Sequence, residues 1–130
     1  RGVVLASGSF AYSDEMVASL VQAIDDAERD DSVRCVILTG SGPAFSAGGD
    51  LKRMLQHDGM FAGGPAELRR RYIDGIQRIP RRLALADKPV VAAINGPAIG
   101  AGLDLAWRQV LGHPLVIAVA AGVTADRIGR

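Results

Sequence analysis

The chain has 130 residues, 48% of them hydrophobic, and a formal charge of +1, enough for one domain with a single core and inconsistent with disorder. So balanced a charge gives no footing for nucleic acid or an anionic membrane surface, and a lone cysteine, Cys35, excludes a disulfide framework or a cysteine-rich zinc cluster. The opening "RGVVLASGSF" has neither an initiator methionine nor a basic region before a long apolar stretch, which predicts a cytoplasmic chain and a piece of a longer one. No apolar run reaches the ~18–20 residues of a membrane span; the longest, "PLVIAVAAGV", suits a buried strand or a short helix.

Taken in order, "SDEMVASLVQAIDDAERD" predicts a helix: Ser13 can cap it, and Asp14 and Glu15 sit in the first turn, where the dipole favours anions. Met16, Val17, Leu20, Val21 and Ile24 then form an apolar stripe at helical spacing. "SVRCVILTG" is a strand of branched residues ended by Gly40, in which Cys35 reads as a buried thiol. "DLKRMLQH" predicts a short helix, and "DGMFAGG" a mobile loop. "PAELRRRYIDGIQRIPRRLALAD" has Leu68, Tyr72, Ile76 and Ile79 on one helical face, with Pro80 expected to kink or break it. Its arginines, Arg69 to Arg71 and Arg81 with Arg82, read as a solvated face, or else as a contact to an anionic ligand. "KPVVAAI" is a buried strand, and "IGAGLDLAW" starts the next helix. The alternation predicts an α/β domain in which Val33–Thr39 and Pro89–Ile94 are adjacent parallel strands.

Each of these strands leads into a glycine-rich turn followed by a carboxylate and a helix: "GPAFSAGGDL" and "NGPAIGAGLDL". The simplest reading is that glycine allows the sharp turn and that Asp50 and Asp104 are helix-start carboxylates. Neither turn has the Gly-Lys-Ser/Thr of a P-loop, and Gly96, Gly100 and Gly102 are not spaced as a dinucleotide fingerprint. Ser46 lies between strand and helix, yet a nucleophile elbow wants glycine where Ala44 stands, and His57 and His113 have no supporting pattern. A further possibility uses both turns. One backbone N–H from each would converge on a carbonyl oxygen and stabilise an enolate-like oxyanion. A carboxylate one helical turn later could then move a proton beside that carbonyl.

With both turns in place, the chain resembles the enoyl-CoA hydratase/isomerase, or crotonase, family. "AFSAGGDLKRM" is similar to the family's first oxyanion-hole segment and "KPVVAAINGPAIGAGLDLA" to its second, and the likeness runs from about Ala11 to Trp107. It implies a spiral of ββα units, here incomplete at both ends, so that residues 1–130 form a partial acyl-CoA-binding domain with 1–10 and 108–130 atypical. It implies an oxyanion hole from the Ala47 and Ala101 N–H groups, and a substrate-binding set of Ser46, Ala47, Gly48, Gly49, Asp50, Leu51, Gly100 and Ala101. Asp104 occupies the position where hydratases commonly carry a catalytic glutamate. Burial beside an acyl chain would raise its pKa and suit it to shuttling a proton.

The resemblance implies an acyl-CoA substrate, with coenzyme A entering only as part of it, and neither a metal nor a redox cofactor, nucleic acid nor a membrane as partner. The family assembles as homotrimers or pairs of trimers. The ends depart from its pattern: an Asn-Arg-Pro turn is missing before residue 11, and "RQVLGHPLVIAVAAGVTADRIGR" stands where a "CDIRIA"-like strand and a second acid are expected. Thr124 falls near that acid's position, and Asp126 is the one acid after Asp104. Hydratase, isomerase and an inactive truncated or frameshifted piece therefore all remain open. Without the C-terminal half, which in the family supplies helices that cover the core and build the trimer, Trp107 and "PLVIAV" should be exposed and association non-specific rather than a clean trimer.

Overall fold

The computed structural model describes residues 2–7, 12–102 and 118–119. Four parallel strands in spatial order β1-β2-β3-β4 form its sheet. They are β1 (Gly2–Ser7), β2 (Cys35–Gly40), β3 (Val90–Ile94) and β4 (Ala118–Val119). Between β1 and β2 lies helix α1 (Asp14–Arg29). Between β2 and β3 come α2 (Leu51–Gln56), a 3-10 turn at Gly59–Phe61, α3 (Pro65–Asp74) and α4 (Arg78–Ala84). Helical crossovers between parallel neighbours are what such strands require, since a tight hairpin can join only antiparallel ones.

Helix α1 follows its sequence closely. The Ser13 hydroxyl accepts from the Met16 N–H at 3.2 Å, and Val17, Leu20, Val21, Ile24 and Ala27 are buried. Its outer edge is tied to α4 by the Asp25–Arg82 ion pair. Its C-terminal end is tied to the approach to β3, where Glu28 accepts from the Asp87 and Lys88 N–H groups and the Lys88 ammonium donates to the Ala27 and Asp30 carbonyls at 2.7 Å each. Ile24 and Ile79 are both fully buried at this seam, worth about 1.5–3 kcal/mol each by removal of apolar surface from water.

The expected pairing of the two central strands is present: Val36 to Thr39 of β2 lie beside Val90 to Ala93 of β3, in parallel. Thr39, buried in this pair, satisfies its hydroxyl on the Ala93 carbonyl at 2.8 Å. Cys35 departs from expectation in being only half-buried, because it starts the strand at the sheet's rim.

Two other expectations are corrected, and one apolar helical face is only partly covered. The "DGMFAGG" segment is anchored: Met60 and Phe61 are buried, Phe61 meets Tyr72 edge to face with ring centroids 6.0 Å apart, and Arg71 donates to the Gly59 carbonyl at 2.7 Å. Glycines made this stretch look mobile, but its two large apolar side chains hold it. The long helix breaks at Gly75, the C-cap of α3, and Pro80 sits in the first turn of α4. A proline is harmless there, since first-turn N–H groups have no intrahelical acceptor. Finally, α3 buries none of its residues. Leu68 and Tyr72 line an open groove of about 610 Å³ together with Pro65, Arg69, Ile73, Gln77 and Arg81.

Candidate active site

Parallel pairing of β2 and β3 sends both chains out of the sheet at the same edge, so the two glycine turns emerge side by side. Backbone groups then lace them together. The Phe45 and Ser46 N–H groups donate to the Pro97 carbonyl at 2.9 and 3.2 Å, and the Ile99 N–H donates back to the Ser46 carbonyl at 2.9 Å. Ser46 and Ala98 form an isolated parallel bridge, a short continuation of the sheet beyond its strands.

That contact depends on missing side chains. A Cβ placed on Gly102 would stand 2.5 Å from the Ser46 Cβ, and one on Gly48 would stand 2.8 Å from the Ile99 carbonyl oxygen and 3.0 Å from the Ala101 nitrogen. Gly48 also has φ +79°, a left-handed backbone that glycine adopts without penalty. Tyr12, buried beneath, braces both turns: its N–H donates to the Gly48 carbonyl at 2.8 Å, and its hydroxyl lies 3.5 Å from the Ala101 carbonyl oxygen. The cavity between Tyr12, Met16, Leu20, Leu38, Thr39, Phe45 and Ser46 measures about 10 Å³, room for about one water molecule. This cavity is too small for a ligand, whereas the outer side of the turns is open to one.

On that outer side Ala47 and Gly100 are exposed and Ala101 half-buried, and Ala101 and Gly102 are helical. Among the described residues, neither the Ala47 nor the Ala101 N–H has an acceptor. The Gly48 N–H, by contrast, is taken by the Ser46 hydroxyl at 3.2 Å. Ser46 is itself buried, at 4% exposure, which leaves it poorly placed as a nucleophile. His57 ends α2 in a left-handed conformation, with its own N–H on the Met54 carbonyl.

Asp50 caps α2, accepting from the Lys52 and Arg53 N–H groups at 2.9 and 3.2 Å. Leu51, next to it, is 73% exposed, as are Leu55 on the same helix and Ile99 on the second turn to similar degrees. Gly49 faces inward, where a Cβ would meet Met54 and Phe61. Nearby, the Glu15 carboxyl lies below the usual carboxylate range because its own backbone N–H and the Ser13 hydroxyl bond its charged form, with Arg53 adding attraction.

Asp104, the acid the sequence singles out, lies outside the described residues, as do Trp107, His113, Thr124 and Asp126. One residue that sequence reasoning passed over is Asn95. It follows β3 directly, and its side-chain amide accepts from the Gly40 N–H at 3.0 Å and donates to the Gly42 carbonyl at 2.8 Å. The only sequence signal was an amide at the start of a glycine turn. No group of three or more His, Cys, Asp or Glu among the described residues could hold a metal ion, and none of their helices is long and apolar enough to cross a membrane.

The family model for enoyl-CoA hydratase/isomerase matches residues 9–108. A Thermus thermophilus protein assigned by inference as an enoyl-CoA hydratase is 47% identical over 101 residues, covering 76% of this chain and 38% of that one. The 1,2-epoxyphenylacetyl-CoA isomerase of Escherichia coli is 41% identical over 109 residues, covering 83% and 38%. Among solved structures, an enoyl-CoA hydratase from Polaromonas sp. JS666 superposes with a TM-score of 0.73 at 32% identity, covering 82% of this chain and 42% of that one. The chain thus spans about two fifths of the length of the proteins it resembles. Strands β2 and β3 and the two laced glycine turns fall within the matched region, and the fold is that of crotonase. The chain belongs to the enoyl-CoA hydratase/isomerase family.

Proposed function

We propose that the protein binds acyl-CoA thioesters with the carbonyl oxygen between the Ala47 and Ala101 N–H groups. The observation that carries this reading is the contact between the turns at Gly48 and Ala101, together with two N–H groups that lack acceptors among the described residues. Two donors sharing one oxygen lie within about 6 Å of each other, so turns held in contact are what such a site needs. As a proton leaves the carbon beside the carbonyl, the electron pair moves to oxygen, and fixed N–H dipoles stabilise the charge without reorganising. Loss of one such donor typically costs ~3–4 kcal/mol.

In this reading Asp104 takes that proton and returns it to another carbon of the unsaturated acyl chain. It stands three residues after Ala101 in sequence, about one helical turn, which on a continuous helix puts both on one face. A single acid suffices for this shuffle, whereas hydration in the family usually uses two acids to hold the water. Isomerase-like proton transfer is accordingly the reading for this chain. Exposed Leu51 and Ile99, each close in sequence to one of the donors, offer an apolar surface to an acyl chain.

The relatives named for turnover are chains more than twice as long, so binding without turnover is the second reading. Calorimetry with crotonyl-CoA, beside assays for its hydration and for double-bond migration in a longer enoyl-CoA, separates the outcomes. Binding with turnover supports the enzyme; binding alone supports a thioester site without acid chemistry; neither removes both.

A further inference from the structure

The geometry points to Asn95 as the positioning residue that fixes one oxyanion turn against the other. This rests on the acyl-CoA reading above. Among the described residues, Asn95 is the one side chain within either turn that hydrogen-bonds across to the other turn's backbone. Its carboxamide oxygen accepts from the Gly40 N–H at 3.0 Å, and its amide nitrogen donates to the Gly42 carbonyl at 2.8 Å. Only one orientation of the amide satisfies an N–H and a C=O together, because the flipped group would set donor against donor and acceptor against acceptor.

Those two bonds grip the chain where it leaves β2, before Pro43 and Ala44 carry it to the donor at Ala47. The fit is close: a Cβ on Gly40 would stand 2.7 Å from the Asn95 oxygen, and one on Gly96 would stand 2.1 Å from the Pro43 carbonyl oxygen. Downstream the turns are joined by three backbone bonds, from Phe45 and Ser46 to Pro97 and from Ile99 to Ser46. Asn95 holds the upstream end of the same seam. A seam pinned at one end can shear, and shear there moves Ala47 relative to Ala101. Catalytic groups misplaced by about 1 Å can cost ~100-fold in rate.

Asn95→Asp tests this, since a carboxylate keeps the shape and the acceptor but loses the donor. A protonated carboxyl restores both, accepting from Gly40 and donating to Gly42. The readout is the thioester carbonyl stretch of bound butyryl-CoA, isotopically labelled at that carbon and unable to be hydrated, recorded by difference infrared spectroscopy. Wild-type protein should shift the band to lower frequency at all pH values where it is folded. The variant should lose at least half of that shift at neutral pH, with affinity changed less than about 3-fold, and recover it as the pH falls and the introduced carboxyl protonates. Asn95→Ala should lose the shift without recovery at any pH.

A wild-type shift that both variants retain at neutral pH overturns the assignment and leaves the acyl-CoA site standing. No shift in the wild type removes the acyl-CoA reading, and the role of Asn95 in it falls too. Failure of Asn95→Asp, Asn95→Ala and the smaller change Asn95→Ser all to fold would make the residue a general fold requirement, which also overturns it.

Discussion

Replacement of Gly48 and of Gly100 by alanine should separate two costs that the turns combine. Both glycines have positive φ, +79° and +57°, but a Cβ on Gly100 would meet nothing within 4 Å, whereas on Gly48 it would meet the Ile99 oxygen at 2.8 Å and the Ala101 nitrogen at 3.0 Å. Alanine in the left-handed region costs ~1–2 kcal/mol at either site. The loss of unfolded-state entropy, worth ~0.4–1 kcal/mol in the opposite direction, is also common to both. At Gly48 the intruding carbon falls several tenths of an ångström inside normal van der Waals separation. Both neighbours are backbone atoms that cannot rotate away, and overpacking of this kind costs ~1–3 kcal/mol. Gly48→Ala should therefore be less stable than Gly100→Ala by ~1–3 kcal/mol in urea unfolding followed by circular dichroism, with equal slopes against denaturant. Because the displaced atom is the Ala101 nitrogen, crotonyl-CoA affinity should also fall further in Gly48→Ala. Equal stabilities would mean that the turns do not touch at this point, and the proposed pairing of donors would lose its basis.

Three other perturbations test the supporting structure. The Arg82 guanidinium bonds Asp25 and holds its carboxyl below the usual carboxylate range; stability from this group is present above the unfolded value near ~3.9 and is lost as pH falls through the folded one. Asn in place of Asp25 should lower the melting temperature at neutral pH, and the gap should shrink below about pH 4; a gap undiminished at pH 2 would exclude the ion pair as its source. Asp50→Ala removes the cap of α2, typically worth ~0.5–2 kcal/mol locally, but α2 buries no residue. Hydrogen exchange at Lys52 and Arg53 should accelerate while global melting barely moves, and Asp50→Asn should behave as wild type; a large fall in melting temperature would show α2 to be part of the cooperative core. Gly64 begins α3 without a side-chain cap, at φ −77° and with nothing within 4 Å of a Cβ. Gly64→Ser creates a capping box with Glu67 and should stabilise by about 0.5–1 kcal/mol in denaturant unfolding; destabilisation would contradict the open surroundings.

What could be read from the sequence follows from how local each cause is. Helix α1 was legible because its cap, its acidic first turn and its apolar stripe all lie within 16 residues. The strands β2 and β3 were legible from branched residues ending at glycine, and their parallel pairing from the helical segments between them. Elsewhere two local signals competed. Gly75 and Pro80 both disfavour a helix interior, and neither sits in one: Gly75 ends α3 as its C-cap, and Pro80 sits in the first turn of α4, where its missing N–H has no consequence. Leu68 and Tyr72 kept the spacing of a buried face, yet nothing among the described residues covers α3 deeply enough to bury it. Periodicity reveals which side of a helix is apolar; whether that side is covered depends on other segments.

The candidate site divides along the same line. The glycines and carboxylates of the two turns are visible as letters, but what joins the turns is almost wholly backbone, and backbone bonds leave no mark of residue type. Their trace is negative: side chains are absent at Gly48 and Gly102, where a Cβ would strike the facing turn. A glycine needed for an open left-handed turn, such as Gly100, looks identical in sequence to one needed for contact. Asn95 was illegible for a different reason, since its partners lie 55 and 53 residues earlier and become neighbours only once β2 and β3 pair. Strand register therefore comes first in cause as well as in description. It sets the turns side by side, glycine lets them touch, and the amide of Asn95 fixes the touch to one alignment, with the Ala47 and Ala101 N–H groups without acceptors among the described residues.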